Sequence, residues 1–329
     1  MSQSLEELTD LSTRFGLPKY RAEQVFTWLH KKNAKSFYDM TNLPGNVQSL
    51  LDENCVIHKQ ECIKKFVSKS DGTIKHLHML QDGALVESVA MEYRFGKSIC
   101  ISTQAGCKMG CVFCASGETG LERDLTAGEM LAQVYSTSSV KRIVLMGCGE
   151  PLDNFDNVVK FIRLVTHEKG LNMGARHITL STCGLVPKIY ELAKMGLQIN
   201  LAVSLHAPTD ALRIKLMPIA KTYGIGELMK ACKHYASTTK RQVTYEYSLI
   251  RDINDDEGCA AKLAKLIVGS QSHVNLIPVN PSSSTHMPSS KKKAAEFAQI
   301  LQNHGISTTI RRSTGGDINA ACGQLRGGF

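Results

Sequence analysis

The segment Ser98-Ile-Cys-Ile-Ser-Thr-Gln-Ala-Gly-Cys107-Lys-Met-Gly-Cys111-Val-Phe-Cys114 decides how the chain folds. Its first six residues are a short run with the character of a buried strand, and three cysteines follow in a loop at the strand's carboxyl end. A [4Fe–4S] cluster normally takes four thiolates. Three from one loop leave an iron with an open position, where a ligand's amino and carboxylate groups can chelate, so the spacing predicts a chemical site and not merely a structural one. Tetrahedral zinc would need a fourth cysteine or histidine close by, and residues 116–140 contain neither.

Downstream, strand-like and helix-like stretches alternate, which predicts βα units around a parallel sheet. Strands are expected near 98–103, 142–146, 177–181, 199–204, 242–250 and 274–278, with a last one near 307–311. Six such units make an α/β fold, a partial (β/α)6 barrel over 98–312. Upstream, IKKFVSK, IKHLHML and LVESVAMEY alternate with a period of two and are separated by the hairpin signals Asp71-Gly72 and Asp82-Gly83. Residues 61–97 therefore read as an antiparallel β meander. Apolar residues at helical spacing over 5–15 and 21–32, with Gly16 and Pro18 between, make 1–60 a small helical head. The tail, 313–329, holds five glycines and can approach a site closely.

Of the 329 residues 43% are hydrophobic, enough for a sizeable core. No run of about 18 apolar residues occurs and the start, MSQSLEELTDLSTRFG, is acidic where a secretion signal would be apolar, so cytoplasmic residence without a membrane partner is expected. Eleven cysteines in such a chain fit reduced thiols and a cluster better than a disulfide scaffold. The net charge of +9 favours a polyanionic partner, nucleic acid first.

Written CxxxCxxC, the cysteine spacing resembles the signature of the radical S-adenosylmethionine (SAM) superfamily, in which SAM binds the unique iron and is cleaved to a 5′-deoxyadenosyl radical. In barrels of parallel strands the site gathers at the carboxyl ends. Cys107, Cys111 and Cys114 follow the first expected strand, Gly149-Glu150-Pro151 the second, Ser181-Thr182 the third and Ser204-Leu205-His206 the fourth. Tyr245 and Glu246 lie on the fifth, and Pro278-Val279-Asn280 ends the sixth. Such a rim suits SAM: the Glu150 carboxylate can accept from its ammonium, and Ser204 and Asn280 can pair with its ribose hydroxyls.

CISTQAGCKMGCVFC, MGCGEPL, ITLSTCGLVP, LAVSLHAP, NLIPVNP and AACGQL together resemble the RlmN branch of the RlmN/Cfr family of radical SAM RNA methyltransferases, over nearly the whole chain. The resemblance implies methylation of an adenine ring carbon, with two SAM molecules per turnover. By it, Cys322 takes a methyl group from one SAM as a thiolate nucleophile. The deoxyadenosyl radical from a second SAM removes hydrogen from that methyl, and the methylene radical adds to the adenine, giving an enzyme–RNA adduct through Cys322. Cys100 matches the family's second catalytic cysteine, which attacks the Cys322 sulfur and releases the product with a disulfide left behind. Glu87 matches a family proton acceptor, and both Glu87 and Cys100 stand as candidates for taking the ring proton.

The SAM contacts implied are Gly149, Glu150, Ser181, Ser204, Leu205, His206 and Asn280, with Cys107, Cys111 and Cys114 holding the cluster. Ala105 stands where the Cfr relative tends to carry a further cysteine, which points to adenine C2 over C8. The implied substrate is 23S ribosomal RNA in the peptidyl-transferase region, with transfer RNA beside the anticodon as a second. The implied electron donor is a flavodoxin or ferredoxin, and the chain is expected to be a monomer. Lys19, Arg21, Lys31, Lys32, Lys64, Lys65 and Lys75 are the candidates to grip RNA. Without the resemblance, Cys322 reads as a tail thiol, Cys100 as a buried strand residue and Glu87 as a solvent-facing acid. Two rivals differ in what they predict: a radical SAM enzyme of peptides or small molecules needs no RNA, and a cluster-bearing RNA-binding module leaves Glu150 idle.

Overall fold

The computed structural model describes residues 2–57, 60–118, 120–280 and 286–325; Pro281 of the NLIPVNP motif and tail residues 326–329 lie outside them. The head holds α1 (Leu5–Arg14), α2 (Tyr20–His30) and α3 (Gly45–Asn54). Helix α1 starts on a capping box in which Ser4 and Glu7 each accept the other's backbone N–H. Helix α2 buries Ala22, Val25, Phe26 and Leu29, which join the same core as the barrel.

The meander is β1 (Glu61–Val67), β2 (Ile74–Met79) and β3 (Leu85–Tyr93), each antiparallel to the next. It does not stand apart from the barrel. Strand β3 pairs antiparallel with β4 (Gly96–Cys100), the first barrel strand, with Val89 opposite Cys100.

Next come a short ribbon, β5 (Gln104–Gly106) with β6 (Leu121–Asp124), and helix α4 (Ala127–Tyr135). The units that follow are β7 (Val140–Leu145) with α5 (Phe155–Thr166) and β8 (Ile178–Thr182) with α6 (Val186–Lys194). Strand β9 (Asn200–Ser204) leads to α7 (Asp210–Leu216) and α8 (Ile225–Thr239). The last units are β10 (Val243–Leu249) with α9 (Glu257–Ile267), then β11 (Ser272–Pro278) with α10 (Lys291–Asn303), closing on β12 (Ser307–Ile310).

One ten-stranded sheet runs β1-β2-β3-β4-β7-β8-β9-β10-β11-β12. From β4 onward all pairs are parallel and follow chain order. With right-handed crossovers, that order puts the helices on one face and curls the sheet into an open barrel.

The first barrel strand ends at Cys100, short of the expected 103. Beyond it the backbone turns to side-chain partners: Gln133 accepts from Ser102 N at 2.9 Å and donates to Ser102 O at 3.0 Å. The β5–β6 ribbon was not expected, since strands of three and four residues are too short to show a period. Among the described residues no helix is long and apolar enough to cross a membrane.

Candidate active site

The ribbon closes the base of the cysteine loop. Gly106, at φ +76°, lies so close to Gly120 that a Cβ would stand 1.9 Å from its carbonyl oxygen, and Cys107 N donates to that oxygen at 2.8 Å. The far side of the loop is tied by Val112 N to Leu216 O at 3.1 Å, and Met109 packs with Ala207, Leu216 and Met217.

Cys107, Cys111 and Cys114 all line one cavity of about 160 Å³ at the carboxyl ends of the strands. Burial, and secondarily the charges of Cys114, Glu150 and Asp153, push the Cys107 thiol up to about 11. Burial likewise raises Cys111, with the charges of Cys114 and Cys107 adding to it, and raises Cys114. Three thiolates beside a buried carboxylate need a cationic partner, which an iron cluster supplies. Among the described residues no three His, Cys, Asp or Glu side chains could share a single metal ion.

Gly149, Glu150, Ser181, Ser204, His206 and Asn280 line the same cavity. Leu205 does not: β9 ends at Ser204, and the Leu205 side chain turns away into the main core with none of it exposed. Glu150 accepts from Leu152 N at 3.0 Å and from Cys183 N at 2.7 Å, while burial, the larger effect, raises its carboxyl above the usual range. His206 sits at φ +55°, and its Nδ1 accepts from Ser248 N at 2.8 Å, which leaves Nε2 as the N–H donor. Burial first, and then the Arg213 charge, lowers it to about 3, so the ring is neutral.

Three features at or behind the cavity wall escaped the sequence reading. Arg213 is fully buried, and its guanidinium donates to the carbonyls of Cys183 at 2.7 Å, Ser204 at 3.1 Å and Leu205 at 3.2 Å, tying the ends of β8 and β9 together. Gly147 tolerates no side chain, because a Cβ there would stand 2.7 Å from backbone atoms of Ile101 and Ser102. Arg311 lines this cavity and an adjoining one of about 50 Å³.

Cys322 is on the wall shared by both cavities, and Cys100 lines the smaller one. All eleven cysteines are free. Burial, followed by the Cys322 charge, pushes the Cys100 thiol up to about 12. The tail that carries Cys322 is pinned by distant residues. Gly323 O accepts from Ala115 N at 2.8 Å, Leu325 O from Ser116 Oγ at 2.7 Å and Cys322 O from Asn280 Nδ2 at 3.0 Å. The Asp317 carboxylate accepts from Ser68 Oγ at 2.7 Å and Lys69 N at 3.0 Å, and Asp71 in turn accepts from Gly315 N at 2.8 Å.

Glu87 is 5% exposed and not solvent-facing; it lines neither cavity and pairs with Lys75 at 2.8 Å. Lys75 is therefore not available to grip RNA from the surface, whereas Lys19, Lys31, Lys32, Lys64 and Lys65 are exposed and Arg21 is half-buried.

Residues 101–263 match the family model of the radical SAM superfamily, and residues 1–57 match that of the ribosomal RNA large subunit methyltransferase N-terminal domain. A probable dual-specificity RNA methyltransferase RlmN of Clostridium novyi is 49% identical over 98% of this chain and 96% of its own length. Another so named, from Clostridium botulinum, is 50% identical over 99% of this chain and 95% of its own. The crystal structure of a radical SAM methyltransferase from Sphaerobacter thermophilus superposes with a TM-score of 0.95 at 43% identity, covering 99% of this chain and 98% of that one. On this likeness across the head, barrel and tail alike, the chain belongs to the RlmN family of radical SAM methyltransferases.

Proposed function

We propose that this protein methylates C2 of an adenine in 23S ribosomal RNA, and of an adenine beside the anticodon of transfer RNA, with Cys322 as the methyl carrier. One observation carries the reading: Cys322 stands on the wall between the cavity of the cluster cysteines and the cavity of Cys100. With a [4Fe–4S] cluster on Cys107, Cys111 and Cys114 and SAM in the larger cavity, the site would have a source of the 5′-deoxyadenosyl radical.

The chain's own groups divide the remaining work. The desolvated Glu150 carboxylate lines the cavity and would accept from SAM's ammonium; Ser204 and Asn280 line the same cavity and would pair with its ribose hydroxyls. The Nε2–H of neutral His206 adds a donor. Cys322 sulfur holds the carbon that joins the adenine, so the intermediate is an adduct between protein and RNA. As acceptor of the ring proton we take Glu87, which lies outside both cavities but on the same face of the sheet as Cys100 and is held by Lys75, with Cys100 as the alternative. Once the adduct has lost the ring proton and its unpaired electron, which the cluster would accept, the Cys100 thiolate attacks the Cys322 sulfur: a Cys100–Cys322 disulfide forms, the carbon–sulfur bond breaks, and its electron pair stays on the product carbon, which takes a proton to become the methyl group. Burial raises the Cys100 thiol, so it rests protonated and must lose its proton before it attacks. Ala105 in place of a further cysteine supports C2 over C8. In this reading the protein works in the cytoplasm as a monomer, with a ferredoxin-type or flavodoxin-type protein as its electron donor.

The test is anaerobic reconstitution with iron, sulfide, SAM, a reductant and a ribosomal RNA fragment, followed by nucleoside mass spectrometry against 2-methyladenosine and 8-methyladenosine standards. The expected product is 2-methyladenosine. An 8-methyl product would overturn the regiochemistry, and SAM cleavage with unmodified ribosomal and transfer RNA would overturn the substrate.

A further inference from the structure

Charge alone places Lys75 with the residues that would hold RNA, yet it is only 8% exposed. It sits on β2 opposite Val89 of β3, so its side chain shares a face with Val89, Glu87 and Met91, the face on which Cys100 of β4 and the tail's Ala320 and Leu325 also pack. Its Nζ is 2.8 Å from Glu87 Oε1, with the two side chains 10% and 6% exposed, and it also donates to Asn319 O at 3.3 Å. Asn319 lies three residues before Cys322. One ammonium thus holds the meander carboxylate and the tail backbone together.

A desolvated ion pair is a poor source of stability, since well-packed apolar side chains of similar volume often do as well, whereas leaving one partner unpaired is costly. Its worth lies in fixing an arrangement. The Asp71 and Asp317 contacts also seat the tail, but on the turn between β1 and β2; Lys75 is the tail contact described above that also reaches Glu87. We infer that Lys75 is a positioning residue that registers the Cys322 tail against Glu87, so that the carrier and the proton acceptor address the adenine in one fixed arrangement. The inference rests on the function proposed above. Lys75 itself exchanges no proton with substrate; it acts through Glu87.

The experiment compares wild type, Lys75→Met, Lys75→Arg, Glu87→Gln and the double variant Lys75→Met with Glu87→Gln, all as full chains with reconstituted cluster. Two steps are read separately: methylation of Cys322 by protein mass spectrometry, and decay of the RNA adduct on a denaturing gel. Lys75→Met should keep Cys322 methylation and slow adduct decay on the order of 10²-fold, the scale at which a positioned proton acceptor contributes. Lys75→Arg should restore most of the rate. Adding Lys75→Met to Glu87→Gln should change decay little, because the two residues act as one unit.

Adduct decay at the wild-type rate in Lys75→Met would overturn the inference, and so would an equal loss of both steps, which is what a merely structural lysine would give. Should Lys75→Met fail to fold, the comparison of Glu87→Gln with the double variant decides, as the double variant leaves no buried charge unpaired: a large further loss there overturns it. A wild-type protein that forms no adduct sinks the proposed function itself, and the inference with it.

Discussion

The loop with Cys107, Cys111 and Cys114 and the tail with Cys322 deliver thiols to one cavity, and they are held there in different ways. The three loop cysteines fall within eight residues, and the loop's base is closed by its own neighbours through the Gly106–Gly120 approach. The tail's anchors on the meander lie 244 to 249 positions away in the chain. A locally closed loop can assemble once its own strand forms. The tail is seated from two sides, by Ala115, Ser116 and Asn280 around Cys322 and by the meander through residues 315–319, and the second seat exists only with the β3–β4 pairing that brings the meander alongside the barrel.

Substitutions can break or sharpen this contrast, and the largest effects come from the thiols themselves. Cys107→Ala should remove both the cluster's visible absorbance and all methylation, while Cys322→Ala should remove methylation and leave the absorbance intact. Methylation surviving in Cys322→Ala would erase the distinction. Gly147→Ala comes next: its Cβ would press on the Ile101 and Ser102 backbone beneath the loop, at a cost of roughly 1–3 kcal/mol in a denaturant melt with reduced cluster yield. A melt indistinguishable from wild type would mean the backbone yields.

Acid should weaken both the meander and the helical head. Burial chiefly lowers His78 on β2 to about 3, and lowers His30 of the head to about 4. Both are kept neutral in the folded state while the unfolded chain binds protons from about pH 6.5, so their contribution is full above that pH and is lost as the pH falls toward 4 and 3. The slope is about 1.4 kcal/mol per pH unit for each histidine. Urea midpoints between pH 7 and pH 4 measure it, and His78→Gln should flatten the curve; an unchanged slope would remove His78 from the account. The smallest effect is expected for Asp317→Ala, which should speed amide exchange across 315–325 and leave the loop around Cys107 unchanged. Equal acceleration in both segments would show that loop and tail are coupled after all.

The same contrast explains what could be read from the sequence. Barrel strands were legible to within a few residues, because strands buried on both faces are short apolar runs bounded by turn residues. The cysteine loop stood out because its three thiols are neighbours in sequence, and all three do line one cavity. Leu205 was taken with Ser204 and His206 as one motif, but side chains alternate at the end of β9, and the cavity receives the residues on either side. Arg213 carries no signal in the sequence, and only the fold shows its guanidinium collecting the carbonyls at the ends of two neighbouring strands. Lys75 carried a charge that suggested a surface, since nothing nearby in the sequence announces a buried carboxylate from the next strand.

The pairing of Val89 with Cys100 also governs where this segment can gain or lose residues. Glu87 and Cys100 reach the same side of the sheet only while the count along β3 and β4 is kept. A single deletion within either strand would turn one of them to the opposite face. The two-residue tip, Arg94 and Phe95, lies outside that count, because pairing ends at Tyr93 with Gly96. Insertions at the tip would leave Glu87 and Cys100 aligned, so the hairpin works as a ruler whose graduations are fixed and whose free end is open to change.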